Sequence, residues 1–385
     1  MDFSYPEEAE TFRAELRTWL EANLDDRTRS VRSQDHSQED RIEIIRAWNR
    51  VLADAGYAAL WWPVEYGGRD AGVMEQVVWA EEMHRSGAPG TLNPIGIANI
   101  APSIMMYGTD EQKSRHLCRM LRGDDIWCQG FSEPDAGSDL ASLRMTAVRD
   151  GDHYIVNGQK VWNTFGDIAN YCELLVRTDP KAAKHAGITC LLVDMTISGI
   201  EVRPLTTITG DTEFSELFFT DVRVPVEGRL GPENEGWKVA MTTLNNERGG
   251  VAALHLQVRE RIGELIEASR GVTLGAGKAS EDPVTRQKLA RLYLEGEYLK
   301  FLSDRAISAT VSGRQGAEGS LVKLVWSHVE QQRVALEGEI LGAEAITGNA
   351  GRGRLSARSL SIAGGTTQVN KNVVARRVLG LPKGQ

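Results

Sequence analysis

The spacing of apolar residues changes twice along this chain, and that double change limits its possible folds more than any single motif. In the first 120 or so residues, Phe12, Leu16, Trp19 and Leu20 recur three and four apart, as do Ile42, Ile45, Trp48 and Leu52. Residues on such a spacing share one face of a helix. Met74 to Met83, Asn99 to Tyr107 and Thr109 to Leu121 read the same way, the last closed by Gly123. From Ile126 to Pro225 the pattern becomes short β-branched or aromatic runs between turn residues: 154–156, 172–176, 188–193 and 217–219. That is a compact β domain with strands at hairpin spacing. After Gly236 helical spacing returns in Leu289, Leu292, Gly296 and Leu299, and in Leu321, Leu324, Val325 and His328. Long helices of this kind pack as an antiparallel bundle. The charged stretches 25–40 and 179–185 read as loops, and 271–280 as a link.

Composition narrows the function. A chain of 385 residues with 41% apolar and 25% charged side chains has ample core for a globular protein. A net charge of −9 argues against a nucleic-acid footprint. Cys118, Cys128, Cys172 and Cys190 form no CxxC pair, so they read as reduced packing residues and no metal site is expected. The opening MDFSYPEEAE carries no apolar signal region, and no run approaches a membrane span, so a cytoplasmic protein is expected. Gly271 to Lys278 imitates a phosphate-binding loop but has Val272 where glycine belongs and Ala279 where Ser or Thr should follow.

Two stretches of the β section carry the chemistry. Gln129 to Ser138, QGFSEPDAGS, follows an apolar run and breaks into turn formers. Pro and Gly keep backbone N–H groups out of ladders, which suits the edge of a flat, anionic ligand. Asn157-Gly158 reads as a hairpin leading into Lys160-Val161-Trp162-Asn163-Thr164. An aromatic followed by small polar side chains on a strand can wall a stacked ring system.

SEPDAGSDL, NGQKVWNT, WPVEYGG (62–68) and GPENEGW (231–237) together resemble the acyl-CoA dehydrogenase family, in family order over nearly the whole chain. The resemblance implies an α+β multidomain fold: an N-terminal α-helical domain (1–124), a middle β-barrel-like domain (125–230) and a C-terminal antiparallel four-helix bundle (231–385). It implies FAD as cofactor, an acyl-CoA thioester as substrate and electron-transfer flavoprotein as acceptor. The reaction needs a carboxylate facing the α-carbon, donors at the thioester oxygen and a flavin against the opposite face. On the matching positions, Gln129, Phe131, Ser132, Gly137, Ser138, Trp162, Asn163, Thr164, Thr366 and Gln368 bind the cofactor. Ser138, Asn245, Arg248 and Gly364 meet the substrate, Gly364 through its backbone N–H.

The family's usual base lies in a Tyr-Glu-Gly-Thr motif that here reads Ala363-Gly364-Gly365-Thr366, so the glutamate is missing. Isovaleryl-CoA and long-chain members resemble this chain in carrying a glutamate before an arginine on an earlier helix. Asn245-Asn246-Glu247-Arg248 stands at that place, making Glu247 the expected base. The smaller Gly364 implies a branched or bulky acyl group, such as a sterol side chain. Two further features depart from the pattern. Residues 269–278 hold Arg270 but no Phe-Gly, and 339–345 read EILGAEA where relatives carry a glycine-rich cradle. Such losses resemble bacterial members built as two kinds of subunit, so a homo- or hetero-oligomer, with or without a paralogous partner, is expected. Two alternatives stand beside the dehydrogenase: a non-catalytic partner subunit, and an acyl-CoA oxidase or flavin monooxygenase of the same fold.

Overall fold

A computed structural model of the chain describes residues 4–32, 36–246, 254–312 and 316–382. Helices open the chain: α1 Glu7–Asn23, α2 Asp26–Arg29, α3 Gln38–Asp54, α4 Val73–Arg85, α5 Ala101–Tyr107 and α6 Asp110–Leu121. Strands follow: β1 Trp127–Gly130, β2 Thr146–Asp150, β3 His153–Thr164, β4 Tyr171–Arg177, β5 Ile188–Asp194, β6 Ile200–Leu205, β7 Phe214–Pro225 and β8 Arg229–Leu230. Then come α7 Gly236–Asn246, α8 Leu254–Gly271, the small strands β9 Thr273–Leu274 and β10 Gly277–Lys278, α9 Pro283–Val311, α10 Glu318–Leu341, α11 Gly348–Ser356 and α12 Thr367–Arg377. Helical, then β, then helical is the order expected from the periodicity.

Two compact units result. One comprises Met1–Leu16, Val73–Arg85 and Arg248–Gln385; the other comprises Arg17–Gly72 and Ser86–Glu247. In the second unit the sheet runs β6-β7-β3-β2-β4-β5-β8, with β1 pairing parallel to β4. Its alternating inward residues build the core: Tyr154, Val156, Leu174, Val176, Leu191, Val193 and Leu217 are all 0% exposed. Full burial of each such aliphatic side chain is worth about 1.5–3 kcal/mol. The helices of this unit are tied by satisfied polar tips. Asn49 of α3 donates to Leu121 O at 2.6 Å, and Trp62 Nε1 donates to Ile97 O at 3.2 Å.

In the other unit α10 packs against α8, α9 and α12, and α4 packs on α8 and α9. Val258, Ile262, Leu265, Leu289, Leu292, Leu299, Val322, Val329 and Leu336 form its core.

Several local expectations are corrected. Asn157-Gly158 is not a hairpin turn, because β3 runs straight through it. The turn lies earlier, where Asp150 faces His153 across Gly151-Asp152. At Gly158 the pairing of β3 with β7 shifts register, its φ is +144°, and a Cβ there would meet Met145 at 2.8–3.0 Å. The glycine is therefore needed for a bulge and a close approach. The charged 25–40 stretch contains α2, capped by Asp25, which accepts from Thr28 N. The 271–280 link carries the β9–β10 pair, and Cys118 is exposed while the other three cysteines are buried and free.

Candidate functional site

The chain leaves β1 at Gly130 and enters the SEPDAGS loop, which a buried ion pair pins from below. Lys160 of β3 is 0% exposed; its Nζ donates to Phe131 O at 3.0 Å and to Glu133 Oε1 at 2.9 Å. The Glu133 carboxylate also accepts from Arg144 N at 2.7 Å and Met145 N at 2.9 Å. Burial pulls the Lys160 ammonium down, and Glu133 opposes that shift. Glu133 and Ala136 exchange backbone bonds of 3.1 and 3.0 Å around Pro134-Asp135. Ser132 O accepts from Val161 N at 2.9 Å. These bonds tie the loop to β3, with Phe131 buried, Ser132 half-buried, and Gly137 and Ser138 exposed. Sequence reasoning missed the Lys160–Glu133 pair. Its available signal was a lysine and a glutamate embedded among residues otherwise expected to be buried.

Trp162 stands beside that loop in an unusual conformation. Its φ is +62°, and the pairing of β3 with β7 shifts register between Lys160 and Asn163. The kink turns the indole outward to 62% exposure, edge-on to Phe214 at 5.9 Å and 82°. Left-handed backbone costs a non-glycine residue about 1–2 kcal/mol, so such outliers concentrate where a side chain must be aimed. Asn163, by contrast, is buried: its Nδ2 donates to Gln129 O at 2.5 Å and its Oδ1 finds no partner among the described residues. Gln129 Nε2 and Ser215 Oγ are likewise buried and unpaired there. Unsatisfied buried polar atoms are uncommon in folded proteins and point to a missing ligand or water. An exposed flat ring beside unpaired polar atoms fits a planar, hydrogen-bonding cofactor such as a flavin. Thr164, half-buried, ends β3 opposite Phe214.

Helix α7 is held in the same unit by hydroxyls. Thr243 Oγ1 lies 2.7 Å from Ser103 Oγ and 2.8 Å from Glu173 Oε1, and Tyr107 Oη lies 3.2 Å from Thr242 Oγ1. Asn245 near its end is exposed. Glu247 and Arg248, the expected base and its neighbour, lie outside the described residues.

Gly364, Thr366 and Gln368 belong to the other unit. Gly364 and Gly365 have φ of +64° and +85° and are both exposed. Thr366 caps α12 by accepting from Val369 N at 3.2 Å, and Asn370 Nδ2 donates to Gly365 O at 2.8 Å. A polar stripe on α10 holds the preceding segment: Lys323 and Ser327 donate to Leu360 O, and Gln331 Nε2 donates to Ala357 O at 3.0 Å. Gln368 is exposed on the first turn of α12. In the stretches that depart from the pattern, Glu339 pairs with Lys288, and Arg270 pairs with Glu267 at 2.8 Å. Among the described residues no cluster of His, Cys, Asp and Glu could hold a metal ion. No described helix is long and apolar enough to cross a membrane.

Comparison with known proteins gives consistent matches along the whole chain. Three family models match in order: acyl-CoA dehydrogenase N-terminal domain over residues 6–124, middle domain over 128–222 and C-terminal domain over 234–379. A Mycobacterium tuberculosis protein named acyl-CoA dehydrogenase IpdE1 is 35% identical over 390 residues, covering 98% of this chain and 99% of that one. Among solved structures, a chain of the ChsE4-ChsE5 complex from Mycobacterium tuberculosis superposes with a TM-score of 0.85 at 35% identity, covering 100% of both chains. A chain titled Tcur3481-Tcur3483 steroid ACAD reaches 0.84 at 31% identity, again covering 100% of both. The three-domain fold, the site-bearing loop and strand, and these matches agree that this chain belongs to the acyl-CoA dehydrogenase family.

Proposed function

We propose that this chain carries out FAD-dependent α,β-dehydrogenation of a branched or bulky acyl-CoA thioester, such as one with a sterol side chain, giving the 2-enoyl-CoA. The observation that carries this reading is Gly364. At φ +64° its backbone suits glycine, so no carboxylate stands where the family's usual base does. Glu247, directly after α7, is the carboxylate that takes over, removing the α-proton. Gly364 N–H donates to the thioester oxygen as negative charge develops there, and a backbone donor is indifferent to the lost side chain. Asn245, Arg248 and Ser138 orient the thioester, with Arg248 toward the phosphate-bearing CoA. Gln129, Phe131, Ser132, Gly137, Ser138, Trp162, Asn163, Thr164, Thr366 and Gln368 hold FAD, which when bound accepts the hydride from the β-carbon. Trp162 shields the ring system from water, and the Lys160–Glu133 pair keeps the loop in position. Electron-transfer flavoprotein is the proposed acceptor. The bulky-substrate reading is supported by the relative titled steroid ACAD.

The test is Glu247→Gln in the flavin-loaded protein. Turnover falls at least about 100-fold while flavin absorbance per chain is retained. Unchanged turnover removes the base assignment.

A second reading is favoured by residues 339–345, where the glycine-rich cradle is absent and Glu339 is engaged with Lys288. Under it the chain acts with a paralogous subunit that completes the FAD site, as supported by the heteromeric ChsE4-ChsE5 neighbour. Full stoichiometric FAD in a purified homo-oligomer excludes that partner requirement.

A further inference from the structure

In the proposed flavin site the cofactor's ring system rests on Trp162, yet little of the protein holds that side chain. Its indole is 62% exposed, and among the described residues its single ring contact is with Phe214 of β7, 5.9 Å between centroids and 82° between planes. Near-perpendicular rings touch edge to face, so at least one indole face stays open. A large exposed side chain with few neighbours samples several rotamers, and ordering it against a ligand costs conformational entropy. A wall already in place before the ligand arrives avoids that cost.

Phe214 is placed to supply the order. Its backbone pairs with Thr164 of β3 on one side and with Leu205 of β6 on the other. The carbonyl of the residue before it, Glu213, accepts from Phe165 N at 3.0 Å. Trp162 and Phe165 both have left-handed backbone, φ +62° and +61°, so the end of β3 bends at two points around this clasp. Between the pairs Lys160–Leu217 and Asn163–Ser215, β3 carries one residue more than β7, as in a bulge. Asn163 and Ser215 are buried together on one side of the paired strands, and Trp162 meets Phe214 on the other. Rings brought together only for packing would be sunk in the core. Here one is mostly exposed and the other half-buried.

We propose that Phe214 is a positioning residue: its ring fixes the exposed indole of Trp162 in the orientation that covers the flavin. This rests on the flavin reading above and adds to it the group that pre-sets the wall. Phe214 touches neither substrate nor cofactor in this role and acts through Trp162.

The experiment uses the full chain labelled with fluorotryptophan and studied flavin-free by fluorine NMR. The nine tryptophans give nine signals, and Trp162→Gly identifies that of Trp162 by its disappearance. Phe214→Ala shifts and narrows this signal, whereas Phe214→Tyr, which keeps the ring, leaves it close to native. FAD titrations of the unlabelled variants give the second readout. Phe214→Ala weakens FAD binding about 3- to 10-fold, the range for loss of one edge-to-face aromatic contact. In a Trp162→Gly background the same substitution causes no further loss, because the group it positions is gone. If Phe214→Ala does not fold, Phe214→Leu, which stays apolar without the ring, carries the same expectations. Equal losses of FAD affinity with and without Trp162 overturn the proposal by showing a structural role. A Trp162 signal that moves as expected in a chain taking up no FAD supports the positioning and defeats the flavin reading; FAD uptake with an unmoved signal does the reverse.

Discussion

Lys160 Nζ and Glu133 Oε1 meet at 2.9 Å in the interior of the β unit, and through them strand β3 grips the loop that follows β1. Two buried charges gain little net stability from each other, but either one alone is costly. Lys160→Met or Glu133→Gln should therefore each destabilise by about 3 kcal/mol or more. The double variant should lose clearly less than the sum of the two, because it leaves no unpaired charge. Urea unfolding of the three variants checks this, and additive losses would contradict it. Flavin absorbance per chain should fall in both single variants as Phe131 and Ser132 lose their support.

Glu173 makes stability depend on pH in a predictable direction. Its ordinary value of 4.5 applies when the chain is unfolded, and burial raises it to about 8 in the fold. Between those values the native state holds a proton that the unfolded state has released. Its contribution is thus complete below about 4.5 and is lost as pH rises through about 8. Glu173→Gln removes this dependence. The stability of the native protein relative to that variant should decline steadily from pH 5 to pH 8 in denaturant titrations. A constant difference would show that Glu173 is charged in the fold.

Trp162 separates folding from function. Glycine at φ +62° carries no steric penalty, so Trp162→Gly relieves strain while losing the edge contact with Phe214. The two effects nearly cancel, leaving stability of the flavin-free protein within about 1 kcal/mol. Flavin retention and turnover should nevertheless drop sharply. A large loss of stability with flavin binding intact would mean the indole serves packing only.

Gly364→Ala tests the backbone geometry at the other end of the proposed chemistry. An alanine at φ +64° should cost about 1–2 kcal/mol and displace the N–H donor. Turnover should fall more than thioester affinity does, since the donor acts where charge develops. Steady-state kinetics with a fixed acceptor distinguishes this from simple weakening of substrate binding.

Much of the architecture was legible from spacing alone. Leu289, Leu292 and Leu299 are buried along one face of α9, and the helix read over Thr109 to Leu121 forms as α6, Asp110–Leu121. Asn157-Gly158 misled because a two-residue turn and a glycine bulge use the same residues. Met145, whose Cγ, Cα and Cβ would lie 2.8–3.0 Å from a Cβ at position 158, leaves room there only for glycine, and the strand bulges instead of turning. The outward turn of Trp162 was invisible for a related reason: strand alternation predicts its side only while register is unbroken, and here register breaks between Lys160 and Asn163.

The order of helical and β segments and the motif positions followed from the chain's own pattern, because periodicity and turn chemistry act between near neighbours. The burial of Lys160 against Glu133, the raised carboxyl of Glu173 and the unpaired atoms of Gln129 and Asn163 among the described residues required the tertiary structure. Each depends on how far water is excluded by residues distant in the chain, and solvent exclusion is a property of the assembled fold rather than of any segment.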